Sequence, residues 1–183
     1  AVAFAGAASA GAMRIGITQN NVGVDSYQTT YERAFIVYRL GARNAGAAYV
    51  EAPTSGPATL GADGYQRDPD ALLAQIGEDT RLVVIDNPGN PTGAHLTGDE
   101  LAALIGGVPD HVTVAIDEAY HHFAAGQKGY ATVDELDVDH PRLLVLRTFS
   151  KAFGLAGLRI GYVTGPAELV GSLDAWRPRF NAN

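Results

Sequence analysis

The chain has 183 residues, 46% of them hydrophobic and 18% charged, enough to bury the core of one ordinary domain. A net charge of −7 argues against a general nucleic-acid or anionic-membrane binder, and no apolar run reaches the about 20 residues of a membrane span. With no cysteine there are neither disulfides nor thiolate metal sites, which fits a reducing, cytoplasmic setting.

Residues 1–16 are rich in alanine and glycine, and Gly6-Ala7-Ala8-Ser9-Ala10 suits a tight strand-to-helix turn whose N–H groups could meet an anion. Close packing of small residues is the bland alternative. The apolar opening lacks a basic leader and reads as core sequence rather than as a signal peptide. Residues 17–28 read as loop. From Thr30 a helical pattern carries Tyr31, Ala34, Phe35, Tyr38 and Leu40 and stops at Gly41. Ala47–Val50 reads as a short strand and 53–64 as a turn-rich connection. Asp68-Pro69 opens a helix with Leu72, Leu73 and Ile76 inward. Arg81–Asp86 is a buried strand, broken sharply by Asn87-Pro88-Gly89-Asn90-Pro91-Thr92-Gly93.

Thr97-Gly98-Asp99-Glu100 is a capping box at the head of a helix bearing Leu101, Leu104 and Ile105. Val112–Ile116 is the next strand and runs into Asp117-Glu118-Ala119-Tyr120. Residues 124–141 form a polar connection. Leu143–Thr148 and Arg159–Thr164 are further strands, and Pro166 starts a last helix through Trp176. Strands alternate with helices, which predicts an α/β fold of three layers, α/β/α, around a mostly parallel sheet. The chain opens without methionine and closes on Arg177–Asn183 with no evident terminal element, as an excerpt from a longer protein would.

Three strand ends carry polar groups: Asn90 after one, Asp117 and Tyr120 after the next, Lys151 and Arg159 after the third. A parallel sheet brings such ends to one edge, where open α/β folds bind ligands. Lys151 supplies an amine that desolvation or a nearby cation could activate as a nucleophile. Thr148, Ser150 and Arg159 are residue types that hold a phosphate. A reactive amine beside a phosphate cradle suits a phosphorylated aldehyde cofactor. Each element alone has an ordinary alternative: a turn, a helix cap, a surface lysine. The adjacent His121 and His122 diverge and have no third ligand at a supporting spacing, so no metal site is expected.

Asn90-Pro91-Thr92-Gly93, Asp117-Glu118-Ala119-Tyr120 and Ser150–Arg159 together resemble the fold-type I pyridoxal-phosphate (PLP) enzymes, and within them the class I/II aminotransferases. The terminal Arg177–Asn183 further resembles the histidinol-phosphate and aromatic-amino-acid branch. The resemblance implies PLP as cofactor, held by Lys151 as a Schiff base, with Asp117 on the pyridine nitrogen and Asn90 and Tyr120 on the ring oxygen. It implies Arg159, Ser150 and Thr148 on the phosphate, Ala8 and Ser9 through backbone N–H groups, and Tyr31 stacked on the ring, with Tyr27 as competitor. It implies part of a PLP-binding large domain over 1–183, with the family's N-terminal segment and C-terminal small domain not among these residues, and a cytoplasmic homodimer. The reaction implied moves an amino group from an amino acid or amine to a 2-oxo acid, with Lys151 as general base. A decarboxylase, cyclase or oxidase on the same core, or a PLP-binding regulatory domain, would use the same lysine and aspartate.

Overall fold

A computed structural model of the chain describes residues 27–31, 34–55 and 66–176. Eight strands and five helices follow in chain order. They are β1 (Tyr27–Tyr31), α1 (Val37–Asn44), β2 (Ala48–Ala52), β3 (Thr54–Ser55), β4 (Gln66–Arg67), α2 (Pro69–Leu73) and β5 (Thr80–Asp86). Then come α3 (Gly98–Gly107), β6 (Thr113–Asp117), α4 (His121–Ala124), β7 (Leu143–Thr148), β8 (Gly161–Thr164) and α5 (Ala167–Asp174). The main sheet has the order β2-β1-β5-β6-β7-β8; β3 and β4 form a separate antiparallel pair. All neighbours in the main sheet are parallel except β7 and β8. The expected three-layer α/β architecture is therefore the observed one, with an antiparallel edge.

Alternation along the central strands builds the layers. Val83, Ile85, Val114, Ile116 and Val145 point to one face, where Leu72 of α2 and Leu101, Leu104 and Ile105 of α3 cover them. Leu82, Val84, Ala115, Leu144 and Leu146 point to the other, against Tyr38 of α1 and Leu169, Val170 and Leu173 of α5. Because both faces are covered, the strands are near-continuous apolar runs. The Thr97 capping box forms as expected: Glu100 N donates to Thr97 Oγ1 at 3.3 Å and Thr97 N to Glu100 Oε2 at 2.8 Å. Asp68 caps α2 by accepting from Asp70 N at 2.9 Å and Ala71 N at 3.3 Å.

One stretch corrects the sequence expectation. Tyr27–Tyr31 is a strand inserted between β2 and β5, and the helix expected from Thr30 begins only at Val37. Thr29, Thr30 and Tyr31 are β-branched or aromatic and suit the pleat, and pairing on both sides outweighs the weak helical period. The helix also runs through buried Gly41 and ends where Gly46 takes φ +73°.

Candidate active site

The ends of the parallel strands fix the site. Asp86 closes β5 and Asp117 closes β6, and the two are register partners. Both are buried. Asp117 Oδ1 accepts from Ala119 N at 3.0 Å, and its Oδ2 accepts from the hydroxyl of Tyr38 at 2.7 Å. Burial first, then the charges of Asp117 and Asp86, push the Tyr38 phenol well above its ordinary value, so it remains a neutral donor. The turn after β5 brings Asn90 round to Tyr120, where Asn90 Nδ2 donates to the phenol oxygen at 3.1 Å.

Lys151 follows β7 and reaches over Tyr120, its Nζ 4.8 Å from the ring centroid. The lysine is exposed among the described residues, not desolvated. Ser150 N donates to Thr148 Oγ1 at 3.0 Å, and Thr148 Oγ1 donates onward to Ile160 O at 3.4 Å. Ser150 Oγ is buried without a hydrogen-bond partner among the described residues. Arg159 follows a single 3-10 turn, Ala156–Leu158, and holds φ +53°, in the left-handed region that side chains disfavour. Its Nη1 donates to Ala156 O at 2.8 Å. Such a conformation costs about 1–2 kcal/mol and concentrates at functional positions.

Asn90, Asp117, Tyr120, Ser150, Lys151 and Arg159 all line one cavity of about 90 Å³. Thr148 does not line it; its hydroxyl stitches the loop before Lys151 to the strand start at Ile160. The strand that carries Tyr27 and Tyr31 is described, but their side chains are not; Ala8 and Ser9 lie outside the described residues, as does 177–183. Phe35, Tyr38 and Asp86 also line the cavity and were not singled out as site residues from the sequence. The first two read there as helical core. Asp86 had a usable signal, since it ends an apolar run in the same way as Asp117. A wider hollow of about 510 Å³ shares Pro88, Asn90 and Tyr120 and opens toward Phe123, His95 and Gln127.

Behind the site, Glu118 holds the connection between α4 and β7. Its buried carboxylate accepts from Val133 N at 2.7 Å and Arg147 Nε at 2.8 Å. Desolvation raises its pKa, opposed by those same bonds. Burial and the neighbouring His122 lower His121 to about 4.

A lysine, an aspartate and a hydrogen-bonded amide–phenol pair thus meet at the C-terminal edge of the parallel strands, where open α/β sheets bind ligands. The family model for aminotransferase class I and II matches residues 33–182, and the chain belongs to that family. It is 43% identical over 152 residues to histidinol-phosphate aminotransferase 2 of Ralstonia nicotianae, an alignment covering 83% of this chain and 38% of that protein. It is 41% identical over 151 residues to an aromatic amino acid aminotransferase of Corynebacterium jeikeium, covering 82% and 38%. The chain thus spans well under half the length of the curated relatives it matches. Among solved structures, N-succinyldiaminopimelate aminotransferase of Mycobacterium tuberculosis superposes with a TM-score of 0.80 at 26% identity, covering 100% of this chain and 45% of that one. Histidinol-phosphate aminotransferase of Sinorhizobium meliloti, solved in complex with pyridoxal-5′-phosphate, gives 0.73 at 28% identity, covering 92% and 43%.

Proposed function

We propose that this chain is the cofactor-holding part of a PLP-dependent aminotransferase acting on histidinol phosphate or an aromatic amino acid and a 2-oxo acid. The observation that carries the reading is the convergence of Lys151, Asp117 and the Asn90–Tyr120 pair on one cavity. The residues fit PLP. Ser150 Oγ, in the cavity lining, is a buried donor with no partner among the described residues, and such groups ordinarily have one. Arg159 at the same cavity offers a guanidinium suited to an anionic phosphate.

When bound, PLP supplies an electron sink for charge developing at the substrate's α-carbon. Lys151 Nζ would bind the aldehyde and, once released by the substrate amine, carry a proton from the α-carbon. Asp117 would hold the ring nitrogen protonated, since a carboxylate stabilises a neighbouring cation. Asn90 and Tyr120 would hold the ring oxygen, and Ser150 and Arg159 the phosphate. Phe35, which lines the cavity, is a further candidate beside Tyr31 and Tyr27 for the ring's apolar face. Exposed Phe153, Leu155, Leu158 and Tyr162 leave apolar surface just after Lys151 for the rest of the protein or a second copy to cover, and the proposed assembly is a homodimer. No described helix is long and apolar enough to cross a membrane, and the proposed setting is the cytoplasm.

The full-length protein should develop a visible absorption band with PLP, and Lys151→Ala should lose that band while still binding the cofactor. Without an acceptor, histidinol phosphate or an aromatic amino acid should yield oxo product in amounts stoichiometric with protein. No band with the wild type, or an unchanged band in Lys151→Ala, would refute the reading.

A further inference from the structure

The cavity contains a second buried carboxylate to which the proposed chemistry gives no task. Asp86 Oδ1 accepts from Arg67 Nη2 at 2.6 Å, and both side chains are almost fully buried, at 4% and 1% exposure. Arg67 Nη1 donates to the carbonyl of Asp86 as well, so the guanidinium grips both the side chain and the backbone of one residue. Burying such a pair seldom adds net stability, because desolvating two charges offsets their attraction. Its presence calls for a consequence beyond stability.

That consequence lies at the other oxygen. Asp86 Oδ2 accepts from Asn90 N at 2.8 Å and from Phe35 N at 3.3 Å. Asn90 lies in the turn after β5, whereas Phe35 lies before α1, 51 residues away in sequence from Asp86. Both line the cavity, from different elements. One carboxylate oxygen therefore joins wall segments from two different parts of the chain. Gly89 belongs to the same arrangement: a side chain there would lie 2.9 Å from Arg67 Cζ, so only glycine lets the guanidinium lie along the turn.

We propose that Asp86, fixed by Arg67, is a positioning residue that clamps the backbones of Phe35 and Asn90 together and so sets the width of the cofactor cavity. The role in cofactor binding rests on the PLP reading above; the clamp itself does not.

The test uses the full-length protein and the double variant Arg67→Met/Asp86→Leu, which removes both charges together and leaves neither partner stranded. Without PLP, amide hydrogen exchange at Phe35 and Asn90 should accelerate in the double variant, by about ten- to a hundredfold for the loss of one hydrogen bond to a charged group. Unchanged exchange at either amide overturns the clamp. With PLP, the variant should bind about tenfold more weakly, as read by absorbance titration. That loss should shrink when both proteins also carry Asn90→Ala, because part of the clamp's effect reaches the cofactor through the Asn90 side chain. Additive losses, or wild-type affinity in the double variant, overturn the positioning role. Faster exchange together with a wild type that binds no PLP overturns the cofactor reading, and the positioning role with it, while the clamp stands. Asp86→Asn with Arg67 retained controls for folding: if it unfolds while the double variant does not, the stranded guanidinium is responsible.

Discussion

Tyr38→Phe removes one atom from the floor of the site and nothing from its packing. The Tyr38 ring is fully buried and meets Phe35 edge-on, with centroids 5.8 Å apart, a contact that phenylalanine preserves. What is lost is the 2.7 Å bond to Asp117 Oδ2. A hydrogen bond to a charged group contributes about 1.5–3 kcal/mol, more than a neutral pair. Asp117 keeps its bond from Ala119 N, so a value of about 2 kcal/mol is expected, within that range. For a domain of this size that lowers Tm by about 4–8 °C. Because burial and two nearby carboxylates hold the phenol above its ordinary value, the loss should stay constant from neutral to mildly alkaline pH. Urea unfolding of both proteins at several pH values measures it. A difference within about 0.5 kcal/mol, the size of an ordinary surface substitution, would refute the bond. Above about pH 10 the penalty should fade, because the unfolded chain's phenol ionises there while the folded one keeps its proton, and a penalty that stayed flat across that range would refute the raised value.

Two further outcomes follow from other parts of the fold. Gly89→Ala should destabilise the protein by about 1–3 kcal/mol, as an overpacked core does, because the new methyl meets the Arg67 guanidinium. A neutral result in denaturant unfolding would mean that Arg67 does not lie along the turn. His121 titrates at about 4 in the folded chain against an ordinary 6.5, so the unfolded chain takes up its proton first as pH falls. The stability it contributes is full above about pH 6.5 and is lost as pH falls from 6.5 toward 4; the slope is shallow, because the ring is partly open to water. His121→Gln should flatten that part of a Tm–pH curve, and an unaltered curve would rule the histidine out as its source.

What was legible in the sequence divides along physical lines. The strands β5, β6 and β7 announce themselves because a parallel strand covered on both faces must be apolar throughout. Asp117 and Lys151 then stand out as polar groups at the ends of such runs. Thr97 and Glu100 announce α3 because a capping box is local chemistry. By contrast, β1 is mostly polar, and its position between β2 and β5 is decided by pairing with residues about 20 and 50 positions away. Phe35 and Tyr38 escaped notice as site residues because an aromatic on a helix reads the same whether it faces a core or a cavity. The Arg67–Asp86 pair was invisible because nothing in a 19-residue separation signals contact.

The two carboxylates at the sheet edge show why such long-range contacts matter to the site. Asp86 and Asp117 are register partners on adjacent strands, and the charge of Asp117 makes Asp86 harder to keep ionised. Asp86, already raised chiefly by burial, is answered by the guanidinium of Arg67 and by backbone N–H groups. Asp117 is met by the neutral phenol of Tyr38 and the amide of Ala119. Arg67 at the end of β4 reaches Asp86 on β5, while α1 brings Tyr38 to Asp117 on β6.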